Sequence, residues 1–174
     1  MDVKSNNEPR MNVDLGFNYL QADVKDNQNN PLSGGTFDVS IGATWDLDKS
    51  SWLNFEKQSV TTSIYHRLSL FGENGLETTN KDLVSINSLG AKLGYRVHDS
   101  RLSLGAAALA GGYYNSHSES FGFEAGGEFD YLFRINQNKQ DINYLIGPSI
   151  RATHNTDGTT LTTVGLKFVL DSKD

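Results

Sequence analysis

Along most of the chain apolar and polar residues alternate. This period of two is what an extended strand produces when it presents its side chains to two opposite faces. In the first run Val13, Leu15, Phe17 and Tyr19 share one face, and Asn12, Asp14, Gly16 and Asn18 the other. The second sets Phe37, Val39, Ile41, Ala43 and Trp45 against Asp38, Ser40, Gly42 and Thr44. The longest sets Phe121, Phe123, Phe129, Tyr131, Phe133 and Ile135 against Glu124, Glu128, Asp130 and Arg134. The pattern restarts eight times and predicts strands over about 11–24, 35–47, 59–71, 83–98, 101–114, 119–135, 141–154 and 159–170.

The gaps between runs are polar and turn-rich. HDSR, NQNKQD and HNTDG are short enough to close antiparallel hairpins, and Asp157-Gly158 suits a tight turn. Hairpin follows hairpin, so the sheet is an up-and-down meander, and closing it removes the two edges it would otherwise expose. No linker or compositional break divides residues 1–174, which are expected to form a single domain.

Alternation does not say which face is inside, because a soluble barrel and a membrane barrel share the same period. The aromatic residues of the apolar face decide it. With strand one running upward, Tyr19, Phe37, Tyr114 and Phe121 fall near the upper rim, and Trp45, Tyr95, Tyr131, Phe133, Tyr144 and Phe168 near the lower. Between them lie aliphatic or small residues such as Val39, Ile41, Ala106, Ala108 and Ile150. Two aromatic girdles around an aliphatic band suit a bilayer, where Tyr and Trp favour the headgroup layer. The expected fold is therefore all-β: an eight-stranded antiparallel up-and-down transmembrane β-barrel with its apolar face outward.

The polar face then becomes the lumen. It carries Asp14, Asp38, Arg67, Lys92, Arg96, Glu124, Glu128, Asp130, Arg134, Arg151 and Lys167, which are expected to neutralise one another in an interior polar network.

Composition narrows the chemistry. With no Cys, the chain has no disulfide framework, thiol nucleophile or thiolate metal site, and its net charge of −6 disfavours nucleic acid as a partner. No apolar run is long enough for a spanning helix, the longest being LGAAALAGG at 104–112. The start, MDVKSNNEPR, lacks a basic segment followed by an apolar core, so no uncleaved signal peptide is expected.

The last run carries a resemblance. Thr163, Gly165, Phe168 and Leu170 are spaced polar, glycine, hydrophobic, hydrophobic, similar to the C-terminal assembly signal of outer-membrane barrels. The chain departs from that signal by continuing through Asp171-Ser172-Lys173-Asp174 where such barrels usually stop at an aromatic. Some 150 residues resemble the small eight-stranded outer-membrane barrels of the OmpA/OmpX type. The resemblance implies recognition by the barrel-assembly machinery, with outer-membrane lipid as the surrounding partner. Gly42-Ala43-Thr44-Trp45 is similar to the lipocalin Gly-x-Trp, but it sits in the second strand rather than the first.

Catalytic candidates are few. His66 would face lipid beside Ile64 and Leu68; either the strand phase slips there, which is the expected explanation, or His66 has a special role. His98 reads as part of a solvated turn, and His117 as loop chemistry beside Glu119. His154 with Thr156 distantly resembles the His-x-Ser of outer-membrane lipid A deacylases, but the Ser is absent and no Glu follows. Glu124 and Glu128 are about 13 Å apart along a strand, too far for paired acid/base work. No catalytic residue, cofactor or metal site is expected.

The expected protein is thus a monomeric, non-enzymatic barrel in the outer membrane of a Gram-negative bacterium. Its role would be structural or interactive: adhesion, envelope integrity, or docking to another envelope protein through outer loops near 24–35, 71–83, 114–120 and 154–159. The alternatives are a narrow channel for small or apolar solutes, a lipid A deacylase-like hydrolase, and a soluble lipocalin-like ligand-binding barrel. Segment 48–58, with Trp52, Leu53 and Phe55, reads either as an interfacial turn or as a strand extension on the inner side.

Overall fold

In a computed structural model of the chain, the structure describes residues 8–25, 31–47, 57–76, 84–99, 101–116, 118–135 and 142–172, with the backbone alone for 21–25, 31–32 and 71–76. Most of segment 48–58, much of the first two outer loops, and His117 lie outside the described residues.

Eight strands form one closed sheet: β1 (Arg10–Lys25), β2 (Pro31–Leu47), β3 (Lys57–Leu76), β4 (Val84–His98), β5 (Leu102–Asn115), β6 (Ser120–Arg134), β7 (Ile142–Asn155) and β8 (Thr160–Ser172). Every neighbour pair is antiparallel, and β8 closes the barrel on β1 through pairs such as Phe168 with Leu15 and Thr163 with Leu20. Pro148 faces outward within β7, where its missing N–H leaves the β6–β7 ladder unpaired between Asp130–Ser149 and Phe133–Ile146.

The register fixes the geometry. Following the ladder once around from Asn12 leads back to β1 at Ala22, ten residues further on. A stagger of that size over eight strands tilts them by about 40° and leaves a lumen just wide enough for side chains.

The alternation resolves as apolar outward. Ile41, Ile64, Leu93, Ile150 and Leu166 are exposed on the outer wall, while Asp38, Lys92 and Glu124 are buried. A soluble barrel with a greasy interior is excluded by this arrangement, since its strands would have to carry the opposite faces inward. The phase slip expected at His66 does not occur. Pairing runs without interruption from Lys57 to Phe71 against β4, and His66 points outward opposite Val39 and Leu89.

The interior is not polar throughout. Leu20, Val84, Ile86, Tyr113 and Leu161 form a buried apolar cluster inside the upper end, and Leu132, Leu145 and Val169 a smaller one inside the lower end. The charged layer lies between them.

Candidate functional site

The lumen is built from the inward positions of all eight strands. Gly90 and Gly111 sit side by side on paired strands, and a Cβ on either would come within 2.8 Å of the Tyr65 hydroxyl. Their lack of side chains is what lets Tyr65 fold inward.

At the centre Glu128 gathers cations from three strands. Arg151 holds it through Nε at 2.9 Å and also through its outer nitrogen, Lys167 binds its other oxygen, and Lys92 lies 3.6 Å away. Arg151 also binds Asp38, whose second oxygen accepts from Asn18 Nδ2 at 2.9 Å. Lys92 donates to Asp14 at 2.7 Å and to Ser40 at 3.2 Å, and Lys167 to Asp130 at 2.7 Å. Arg96 closes the lower side on Asp130 at 2.8 Å. Above this layer Arg67 pairs with Glu124, which also accepts from Tyr65 at 2.6 Å and Ser88 at 3.1 Å. The Arg151 guanidinium lies 6.0 Å from the centre of the Tyr65 ring and bridges the two levels.

The structure therefore brings ten of the eleven predicted interior residues into two linked clusters, five cations with five anions. Taking ions out of water is costly unless opposite charges and hydrogen bonds replace the lost hydration, and this arrangement supplies both. Arg134 stands apart. It lies at the lower mouth near Arg10, Lys57, Asn143 and Asp171, and its Nε has no hydrogen-bond partner among the described residues.

Sequence reasoning missed Tyr65, Asn18, Ser88 and Ser149, the last donating to Asn18 Oδ1 at 3.1 Å, as members of the network, although all four lie on its polar faces. It also missed the apolar seals. Val84 and Ile86 carry the opposite parity to Leu89 and Ala91 on the same strand, and that reversal was the available signal.

Among the described residues, voids of about 20 and 10 Å³ adjoin the charged layer. Each is close to the minimum that one water needs.

All ten girdle residues lie on the outer wall. Tyr19 and Phe121 are exposed above; Tyr95, Tyr131 and Phe133 are exposed below, and Trp45 is half-buried. Aromatic pairs knit the belts: Tyr114 with Phe121 at 4.8 Å, Tyr131 with Phe133 at 5.0 Å, Tyr144 with Phe168 at 6.2 Å, and Phe37 with Phe17 at 5.0 Å. Phe129, exposed opposite Ala106 and Ile150, places one ring inside the aliphatic band. Of the assembly positions, Thr163 is buried and faces the lumen, Gly165 packs against β1, and Phe168 and Leu170 lie on the outer wall, all within β8.

The histidines make no catalytic constellation among the described residues. His98 is not in a solvated turn: it ends β4, is buried, and shares a hydrogen bond with Ser59 Oγ at 3.1 Å. His154 pairs with Thr160 at 3.1 Å, whereas the Thr156 hydroxyl accepts from the Phe123 amide at 3.1 Å. The two halves of the hydrolase-like pair thus have different partners. No group of three His, Asp or Glu among the described residues could hold a metal.

No family model matches the chain, and no curated protein matches it. Among solved structures it is similar to Neisserial surface protein A, at 11% identity and a TM-score of 0.58, covering 94% of this chain and 97% of that one. It also aligns with Ail, the attachment invasion locus protein of Yersinia pestis, at 14% identity and a TM-score of 0.46, covering 94% and 99%. The fold is that of the small eight-stranded outer-membrane barrels.

Proposed function

We propose that the protein is an integral outer-membrane barrel of a Gram-negative bacterium that forms no open pore and acts as a structural or interaction element. The observation that carries the reading is the pairing of an apolar, aromatic-belted outer wall with a lumen filled by neutralised charge. An apolar wall this extensive has no stable place in water, whereas a bilayer solvates it. The charged layer is capped by the Leu20–Ile86–Leu161 cluster, so a hydrated ion would have to displace both salt bridges and packed hydrocarbon.

Activity then belongs to the outer loops and the outer wall. Adhesion, envelope integrity or docking to another envelope protein are the roles this leaves, with the single barrel as the unit, membrane lipid around it, and the barrel-assembly machinery as its partner during biogenesis. The surface location in the name of the Neisserial protein is in keeping with this.

Gel mobility before and after boiling tests the reading. A folded outer-membrane barrel resists SDS until heated, so the refolded protein is expected to run faster unboiled. Planar-bilayer recording is expected to give no steady conductance. Equal mobility with and without heat, or a stable open channel, would overturn it.

A further inference from the structure

We propose that His66 and the shallow depression beneath it form a docking site for one ester-linked lipid of the surrounding membrane. The proposal rests on the reading that the apolar wall faces a bilayer.

Three outward rows cross β2 to β5. Val39, His66, Leu89 and Gly112 pair in the upper row, and Ile41, Ile64, Ala91 and Ala110 in the next. Below them comes Ala43, Thr62, Leu93 and Ala108. Phe17, Phe129 and Leu166 stand out from the wall elsewhere, whereas the two lower rows continue onto β6 through Ala125 and Gly127. Here Ala91, Ala108 and Ala110 leave a shallow, open depression between the Ile41–Ile64 and Leu93 side chains.

The imidazole of His66, one outward row above the Ile41–Ile64 edge of this depression, points to the occupant. His66 is exposed on the wall and makes no hydrogen bond or ion pair among the described residues. An N–H left without an acceptor in hydrocarbon costs about 1–3 kcal/mol, so a partner from the lipid side is favoured. Depth selects which part of the lipid. His66 lies one outward row below the Phe37–Leu68 pair, in the upper aromatic belt. On a strand tilted by about 40° two residues descend roughly 5 Å, from the headgroup layer to the level of the acyl esters.

An imidazole N–H can donate there to an ester carbonyl, and the attached chain then runs toward the bilayer centre, the direction in which the depression lies. A second copy fits less well. Both barrels would insert the same way up, and two identical hollows set face to face do not fill one another.

The test is retention of lipid. Wild type, His66→Leu and His66→Gln are refolded into vesicles of diester phosphatidylethanolamine, or of its diether analogue with the same chains. They are then extracted in mild detergent and weighed intact. Wild type is expected to keep one diester lipid about fivefold more often than the diether, the ratio that one net hydrogen bond gives. His66→Leu is expected to lose the preference, and His66→Gln, which keeps an N–H donor, to retain it. Ala91→Leu is expected to lower retention of both lipids by filling the hollow.

Equal retention of ester and ether by wild type overturns the proposal. So does a His66→Leu barrel that keeps the preference, or a mass corresponding to two chains. Heat-dependent gel mobility is read on every sample. A wild type that fails to insert refutes the bilayer-facing wall itself, whereas one that inserts without a lipid preference refutes only the site.

Discussion

Tyr65 on β3 reaches across the lumen to Glu124 on β6, its hydroxyl donating to Oε1 at 2.6 Å directly above the Gly90–Gly111 pair. The contact joins two strands three steps apart around the eight-stranded barrel. Removing the hydroxyl in Tyr65→Phe leaves Glu124 with Arg67 and Ser88, and is expected to cost about 1–2 kcal/mol. Gly90→Ala, whose Cβ would lie 2.7 Å from that hydroxyl and 2.3 Å from the Ala110 carbonyl oxygen, is expected to cost more, about 2–3 kcal/mol. Urea midpoints of barrels folded in vesicles check the order.

Glu128 is where Arg151, Lys167 and Lys92 converge. Glu128→Gln keeps the shape and removes the charge, leaving buried cations one counter-charge short, and breaking such a pair costs about 3–5 kcal/mol. It is expected to be among the most destabilising changes in the network. Glu128→Gln with Arg151→Met is expected to recover part of the loss because neutrality returns. A double variant less stable than the single one by the full cost of Arg151→Met would show that the charges act independently.

Gly165 and Phe168 separate folding from assembly. A Cβ on Gly165 would lie 2.2 Å from the Phe17 carbonyl oxygen, so Gly165→Ala is expected to weaken the barrel by about 1–3 kcal/mol even when it is refolded without cellular machinery. Phe168 lies on the outer wall stacked with Tyr144. Phe168→Ala is expected to reduce the amount assembled in living cells more than it reduces refolded stability. Equal effects in the two measurements would remove the case for β8 as an assembly signal.

The β7–β8 turn carries a prediction in acid. Partial burial alone would raise the Asp157 carboxyl, but hydrogen bonds from the Thr159 amide and hydroxyl and from Tyr113 outweigh it and hold the group below its usual 3.8. A depressed carboxylate adds stability above its unfolded value, and that stability is lost as pH falls through the folded one. Protection of the Thr159 amide from exchange is therefore expected to be full at neutral pH and to fall below about pH 4. Asp157→Asn is expected to flatten that dependence. Protection that rises in acid would contradict the assignment.

The sequence by itself determined the number of strands, their order and the side that most strand residues face, because a period of two is a local property that every strand displays on its own. Asp38, Lys92 and Glu128 could thus be placed in the lumen, and Tyr131 and Phe133 on the wall, from alternation and the chemistry of a bilayer alone. Only the tertiary structure decided which charges meet. Arg151 reaches Asp38, 113 residues away, because a stagger of ten residues brings those heights together, and no local pattern encodes a stagger. The same closure turned Leu20, Ile86 and Tyr113 into a seal inside the upper end, buried His98 against Ser59, and left His66 facing outward with no slip to rescue it. Each of these depends on what lies across a lumen or beyond a wall, and strand periodicity carries no information about either.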